Sequence, residues 1–277
     1  MATVQELLRR AGELPGDEPR RDREILLGHC LDRSRTWLYA WPDAEVTEEQ
    51  AARFRQLLAL RQSGTPVAYL TGRREFWSLD LEVNPQTLIP RPETETLVEW
   101  ALSLPLPAVA EVLDLGTGSG AIALALASER PRWRVSAVDA SAGALQVARA
   151  NAGRLGLQRV TFLASDWYAA LAGRRFDLLV SNPPYIDPDD PHLARGDLRF
   201  EPRAALVAPG SGMADLARLA AGAPAHLRPG GWLLLEHGYG QGALVRALLA
   251  EAGFLAVQTR RDLAGRERVS GGVRDAE

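Results

Sequence analysis

Phe176-Asp177-Leu178-Leu179-Val180-Ser181-Asn182-Pro183-Pro184-Tyr185 joins an apolar run to a double proline. The run reads as a buried strand of a parallel sheet. Two consecutive prolines cannot continue a hydrogen-bonded ladder, so the strand ends there and the chain turns outward. In open α/β sheets, ligands bind at the carboxyl ends of the strands. Asn182 therefore brings a carbonyl acceptor and an amide donor to a candidate site, beside backbone carbonyls that Pro183 and Pro184 leave unpaired. Tyr185 adds a flat π surface. Such a set suits a planar amide or amino nitrogen, whose two hydrogens are taken by acceptors while a ring packs on its face. An ordinary strand-ending turn could carry the same residues, so the neighbouring sequence has to decide.

Outward from this stretch, strands and helices alternate from about residue 110 onward. Val112 to Leu115, Val135 to Asp139, Val160 to Leu163, Leu178 to Ser181 and Leu233 to Glu236 are strand candidates. Ala121 to Ala127, Ala142 to Leu155 and Gly242 to Glu251 are helical candidates between or after them. That rhythm predicts an α/β fold, a doubly wound and mostly parallel sheet covered by helices on both faces. Residues 91–277 are expected to form this domain.

Residues 1–72 read as a small helical domain. Thr3 to Glu6 matches a capping box, with Gly12 stopping the short helix that follows. Pro19 can open a helix carrying Ile25, Leu26, Leu27 and Leu31. Thr47 to Gln50 is a second capping box, opening a helix with Phe54, Leu57, Leu58 and Leu60 that ends near Gly64 and Pro66. Residues 1–70 hold 10 Arg against 11 Asp plus Glu, so this is no basic nucleic-acid arm. Residues 73–90 are expected to be an extended or hairpin linker, since Leu79, Leu81 and Val83 alternate with polar residues.

Asp114-Leu115-Gly116-Thr117-Gly118-Ser119-Gly120 closes the first strand of the sheet and enters a helix of small residues. Its glycines permit a tight turn and close approach of a ligand to the backbone, with the helix amino terminus facing an anionic group. Dinucleotide-binding loops share this pattern, because Ala121 satisfies their last position. Asp139, ending the next strand, stands where an acid can accept two ribose hydroxyls, which is again common to both classes. Two features favour S-adenosyl-L-methionine over a nicotinamide. Asp114 lies two residues before the first glycine, as in the acid-x-Gly-x-Gly-x-Gly signature of enzymes that use that cofactor, and a hydride-transfer enzyme has no evident use for Asn182 to Tyr185. Ser165-Asp166-Trp167 follows the third strand, where an adenine ring meets a polar edge contact and an apolar wall; core packing is the plainer alternative for Trp167.

Composition narrows the setting. The chain has 277 residues, a net charge of −3, and no lysine among its 32 basic residues. This balance argues against a surface that grips nucleic acid. No run of about 18 apolar residues predicts a membrane span, and Met1 to Glu6 lacks the form of a secretory signal. Cys30, the single cysteine, sits among Ile25, Leu26, Leu27 and Leu31 and reads as a small buried hydrophobe in a reducing, cytoplasmic setting. The four histidines (His29, His192, His226 and His237) have no metal-ligand spacing, and no metal site is expected.

With these residues in view, the chain resembles the peptide chain release factor glutamine methyltransferases of the HemK/PrmC family over essentially its whole length. The resemblance is carried by Glu75-Phe76, by Leu88-Ile89-Pro90-Arg91-Pro92-Glu93-Thr94-Glu95, by the glycine loop, by Asn182 to Tyr185, by Asp197-Leu198-Arg199-Phe200-Glu201-Pro202 and by Arg266-Glu267-Arg268-Val269. It implies a class I S-adenosylmethionine-dependent methyltransferase fold behind a helical substrate-recognition domain. It further implies cofactor contacts from Gly116, Thr117, Gly118, Ser119, Gly120, Asp139, Trp167 and Asn182. The implied substrate is the glutamine of the Gly-Gly-Gln loop in class 1 release factors, held by Asn182, Pro183, Pro184 and Tyr185, with no direct nucleic-acid or membrane partner. Asn182 and the Pro183 carbonyl would accept the two amide hydrogens, and Tyr185 would pack on the amide plane. Arg91 and Glu93 would either order a loop over the glutamine or cap a helix beginning near Glu93. The tail from Ser270 to Glu277 departs from the pattern and is expected to be peripheral. The rival readings are an amino-methyltransferase acting on adenine or guanine in DNA or RNA, a NAD-dependent oxidoreductase, and a non-catalytic binding module.

Overall fold

Every residue of the stretch Phe176–Ser181 is buried, in the middle strand of a seven-stranded sheet. The computed structural model describes residues 2–10, 14–16 and 18–276. The chain clusters into two compact units, Met1–Arg73 with Pro191–Phe200, and Arg74–Asp190 with Glu201–Glu277.

The first unit holds β1 (Ala2–Thr3), α1 (Val4–Arg10), α2 (Pro19–Leu31), α3 (Arg35–Ala40), β2 (Glu45–Val46), α4 (Glu48–Gln62) and α5 (Val67–Thr71). Both expected capping boxes form. The Glu6 N–H donates to Thr3 Oγ1 (3.3 Å) while the Thr3 N–H donates to Glu6 Oε2 (3.1 Å). Thr47 and Gln50 make the reciprocal pair at the start of α4. Pro19 opens α2 as expected, whereas Gly12 lies outside the described residues. The helices bury Val4, Leu26, Leu27, Leu38, Phe54 and Leu58 against one another. Cys30 joins that core, and burial pushes its thiol up. The sequence reading assigned Pro191–Phe200 to the sheet domain, yet it packs with the helices. Arg61 binds it there, donating to Asp197 Oδ1 (2.9 Å) and Asp22 Oδ2 (2.8 Å).

The second unit opens at Arg74 within β3 (Arg73–Phe76), which pairs with β4 (Leu79–Glu82) in a hairpin turned through Trp77 and Ser78 at φ of 51° and 59°. Positive φ at both central residues matches the right-handed twist of the strands. This segment is less a linker than part of the core, since Phe76 and Leu81 are fully buried against the sheet domain. A 3₁₀ turn at Pro92–Thr94 leads into α6 (Glu95–Ser103). The alternating part comprises β5 (Glu111–Leu115), α7 (Ala121–Glu129), β6 (Arg134–Asp139), α8 (Ala142–Arg154), β7 (Thr161–Ala164), β8 (Phe176–Ser181), α9 (Ala214–His226), β9 (Leu227–Glu236), α10 (Gly242–Glu251), β10 (Phe254–Arg261) and β11 (Glu267–Arg274).

The strand order is β10-β11-β9-β8-β5-β6-β7, with β9-β8-β5-β6-β7 all parallel. Successive side chains on the central strands feed opposite cores. Val112, Leu178, Val180 and Leu234 join Leu97, Trp100 and the small residues of α7 on one face. Leu113, Leu115, Leu179, Leu233 and Leu235 join Leu216, Leu219, Val245 and Leu249 of α9 and α10 on the other.

The expectation of a peripheral tail is corrected. Ser270 to Val273 belong to β11, which runs antiparallel between β9 and β10, and Ser270 is fully buried. Gly271-Gly272 hid the strand from a propensity reading, yet both glycines are required by packing: a Cβ at Gly271 would fall 2.5 Å from Leu234, and one at Gly272 2.9 Å from Phe254. Among the described residues, no helix is long and apolar enough to cross a membrane.

Candidate active site

The parallel strands β5, β6 and β8 deliver their carboxyl ends side by side. The Ser181 hydroxyl donates to the Leu115 carbonyl at 2.7 Å and ties the end of β8 to that of β5. After Leu115 the chain turns sharply, with Gly116, Gly118 and Gly120 at φ of 73°, 57° and 86°. The N–H groups of Gly116 and Thr117 both donate to the Val138 carbonyl at 2.9 Å, which pins the loop to β6. At Gly116 a Cβ would stand 3.1 Å from the Trp167 ring, whereas at Gly118 it would meet only open space. Gly116 is thus fixed by crowding as well as by φ, and Gly118 by φ alone.

Two acids hold this loop from below and from the side. Asp114 is fully buried; its Oδ2 accepts the Thr117 hydroxyl at 2.6 Å and its Oδ1 has no partner. Loss of water raises its carboxyl to about 7. Asp139, at the end of β6, accepts the Gly118 N–H through Oδ2 (2.9 Å) and the Ser141 N–H through Oδ1 (2.8 Å). Each oxygen keeps a lone pair for another donor. Trp167 is itself at φ 49°, and its indole N–H donates to Asp215 Oδ1 at 3.1 Å. The Ser165 hydroxyl holds the Trp167 carbonyl at 2.8 Å.

These parts enclose a cavity of about 390 Å³, lined by Gly116, Thr117, Gly118, Ser119, Asp139, Trp167, Asn182 and Pro184 among others. That volume lies in the range of small-molecule sites. Gly120, Pro183 and Tyr185 do not line it. Gly120 instead caps α7 against Leu124 and Ala148. The Tyr185 ring packs into the core beside α9 and α10, and its hydroxyl donates to Glu236 Oε1 at 3.3 Å. Burial, followed by the Glu236 charge, pushes that phenol up. The Tyr185 carbonyl accepts from Gln241 Nε2 at 3.0 Å.

Further polar residues stand at or behind the rim. Thr94, buried in the 3₁₀ turn before α6, accepts a hydrogen bond from Asn182 Nδ2 at 3.1 Å. Glu236 ends β9 fully buried, and desolvation raises its carboxyl to about 7 against the pull of Thr94, Arg268 and Tyr185. Arg91 lines the cavity and pairs with Glu201, whose Oε2 accepts the Ile89 N–H at 2.9 Å. The Arg91 side chain makes no capping hydrogen bond to the turn at Pro92–Thr94. Glu93 lies in the turn leading into α6, close enough to Glu236 to raise its carboxyl further. Glu236 had one sequence signal, a charge closing an apolar strand. Thr94 had none.

The chain is similar to known proteins. Residues 2–72 match the PrmC N-terminal domain, and residues 94–196 match the methyltransferase small domain. A release factor glutamine methyltransferase of Xylella fastidiosa is 57% identical over 254 residues, covering 91% of this chain and 92% of that one. The enzyme of that name from Pseudomonas aeruginosa is 53% identical over 272 residues, covering 98% of each. A solved methyltransferase from Pyrococcus furiosus shares the fold, with a TM-score of 0.55 at 18% identity over 80% of this chain and 98% of that one. The chain belongs to the release factor glutamine methyltransferase family.

Proposed function

We propose that this chain transfers a methyl group from S-adenosyl-L-methionine to the side-chain nitrogen of the glutamine in the Gly-Gly-Gln loop of a class 1 release factor. The observation that carries the reading is the Asn182 amide. Thr94 accepts from its Nδ2, so its Oδ1 remains as an acceptor at the rim of the glycine-loop cavity. The cofactor supplies, when bound, a methyl group on a positively charged sulfur. The residues present fit it. Gly118 leaves the loop backbone open to a ligand, Asp139 retains lone pairs for ribose hydroxyls, and Trp167 offers a flat wall that its bond to Asp215 holds in place.

An amide nitrogen is a weak nucleophile because its lone pair is shared with the carbonyl. Asn182 Oδ1 and the Pro183 carbonyl would accept its two hydrogens and aim the nitrogen along one line of attack, and such orientation supplies a large part of a rate enhancement. Acceptors on those hydrogens also favour the positive charge that grows on nitrogen. Tyr185 serves from behind, since its ring lies in the core and its hydroxyl on Glu236 fixes the turn after Pro184. The helical unit, with its balanced charge, is suited to a protein surface better than to phosphates.

The test is mass spectrometry of a release factor after incubation with enzyme and cofactor, alongside RNA and DNA as competing substrates. One added methyl on the loop glutamine is expected. Methylation of nucleic acid with the release factor untouched would overturn the reading. Asn182→Ala is expected to lower methyl transfer about 100-fold, the scale for losing one transition-state hydrogen-bond partner, with the fold retained.

A further inference from the structure

Solitary apolar side chains on a surface need no reason. Tyr239 and Leu263 are not solitary. At 69% and 109% exposure they are the two most exposed large hydrophobic residues among those described, and they lie at one edge of the sheet. Tyr239 is in the loop between β9 and α10, and Leu263 in the turn between β10 and β11. β11 runs antiparallel to β9 with Val269 opposite Glu236, so both segments emerge where the parallel strands end. Arg266, in the same turn as Leu263, holds its guanidinium 5.8 Å from the centre of the Tyr239 ring and links the two.

Both segments are held in place. Asp262 Oδ1 accepts the N–H groups of Ala264 and Arg266 at 3.0 Å, and Asp262 Oδ2 accepts Arg268 Nε at 3.2 Å. The turn that displays Leu263 is therefore built from within. Beside Tyr239, Gln241 Oε1 accepts the Gly238 N–H at 2.8 Å, while its Nε2 donates to the Tyr185 carbonyl at 3.0 Å. This loop thus leans on the turn that follows Asn182. It does so from the β9 side of β8, whereas the glycine loop and Asp139 lie on the β5 and β6 side.

We propose that Tyr239, Leu263 and Arg266 dock the folded body of the release factor beside its Gly-Gly-Gln loop; this rests on the function proposed above. The site itself selects the occupant. A protein that delivers one glutamine to Asn182 has to cover the surface around that strand end, and a stable contact takes about 800 Å² from each partner. On the β5 and β6 side the cofactor cavity occupies that ground, which leaves the β9 and β11 side. A rigid tyrosine ring and an arginine are side chains that carry much of the energy of protein interfaces. Leu263 adds apolar surface that leaves water on contact. Arg266 has no carboxylate partner among the described residues, so the face that docks here is one that sets an acid against it next to an apolar side chain.

Methyl transfer to a purified release factor by the full-length wild type is measured first, because its absence defeats the functional reading itself. Given wild-type turnover, the double variant Tyr239→Ala/Leu263→Ser is expected to raise KM for the release factor about 10-fold, with kcat changed less than about 2-fold. Cofactor affinity by calorimetry and the thermal midpoint should hold, since both side chains lie in solvent. Arg266→Glu should raise the same KM about 5-fold by setting like charges together. Val109→Ser, a change to an equally apolar exposed residue before the amino end of β5, should leave that KM unchanged. A KM within about 2-fold of wild type in the double variant overturns the proposal, as does a fall in kcat at unchanged KM. A wild type that sediments as a dimer while the double variant is a monomer assigns this face to a second copy of the chain and overturns it too. Should the double variant fail to fold, Arg266→Glu decides the matter alone, by the same split between KM and kcat.

Discussion

Asn182 Nδ2 donates to Thr94 Oγ1, which leaves the amide oxygen as the acceptor at the cavity. The buried carboxyl of Glu236 titrates in the working range of an enzyme. Burial raises Glu236 to about 7; the groups facing it are Tyr185 from the turn after β8, Thr94 and Glu93 from the turn before α6, and Arg268 from β11. The carboxylate is therefore the major form only above about pH 7. Because about 7 lies above the ordinary glutamate value of 4.5, Glu236 contributes stability that is lost as pH rises through about 7. Glu236→Gln should remove that share of the pH dependence of urea unfolding; an unchanged profile in the variant would contradict the assignment. Gly116 offers a second test at the same scale. Its φ of 73° and the 3.1 Å approach of a Cβ to Trp167 make Gly116→Ala costly on both counts. A loss of about 1–3 kcal/mol in urea unfolding is expected, with weaker cofactor binding by calorimetry as the indole is displaced.

At the scale of elements, the caps were legible because they are local. Thr47 and Gln50 are three residues apart, and their reciprocal bonds form wherever that spacing meets a helix start. Thr47→Ala should destabilise the helical unit by about 1 kcal/mol in chemical unfolding, leaving the turnover of the folded enzyme unchanged. Strands β5, β8 and the end of β9 were legible for a similar reason, since burial on both faces leaves apolar runs, whereas β7 at the sheet edge is only half-buried. β10 and β11 were not. The burial of β10 follows no period of two, and β11 carries two adjacent glycines that only the closeness of Leu234 and Phe254 explains. Trp77 and Ser78, with positive φ and no glycine, likewise gave no turn signal, although alternation in Leu79 and Leu81 marked the strand beyond them.

Across the whole molecule, long-range polar pairs complete what the strands begin. His237 shows how the carboxyl-terminal strand is locked to the sheet. Its Nδ1–H donates to the Gly238 carbonyl at 2.9 Å, and burial pushes the imidazole down so that it stays neutral. Nε2 must then accept the Ser270 hydroxyl at 2.8 Å, Ser270 accepts from Thr259 at 2.7 Å, and Thr259 accepts from Arg246 at 2.7 Å. The chain of donors runs in one direction. Ser270→Ala leaves the imidazole nitrogen buried and unpaired, and should cost about 1–3 kcal/mol in urea unfolding. The helical unit shows the same reliance on distant partners, as Arg61 secures a segment of sequence 136 residues away.

The sequence by itself determined the parallel α/β core, the glycine loop under its two acids, and a strand end offering Asn182. Each is set within a few residues, by hydrophobic period, by φ that only certain residues tolerate, or by proline's missing N–H. Tertiary structure alone decided which buried polar groups meet at that strand end. Thr94 lies 88 residues from Asn182, and Arg91 lies 110 from Glu201. A threonine or glutamate in a sequence carries no mark of its partner. Tertiary structure also turned Tyr185 away from the cavity and onto Glu236, because an aromatic ring beside a sheet gains more from burial in the adjoining core than from facing solvent.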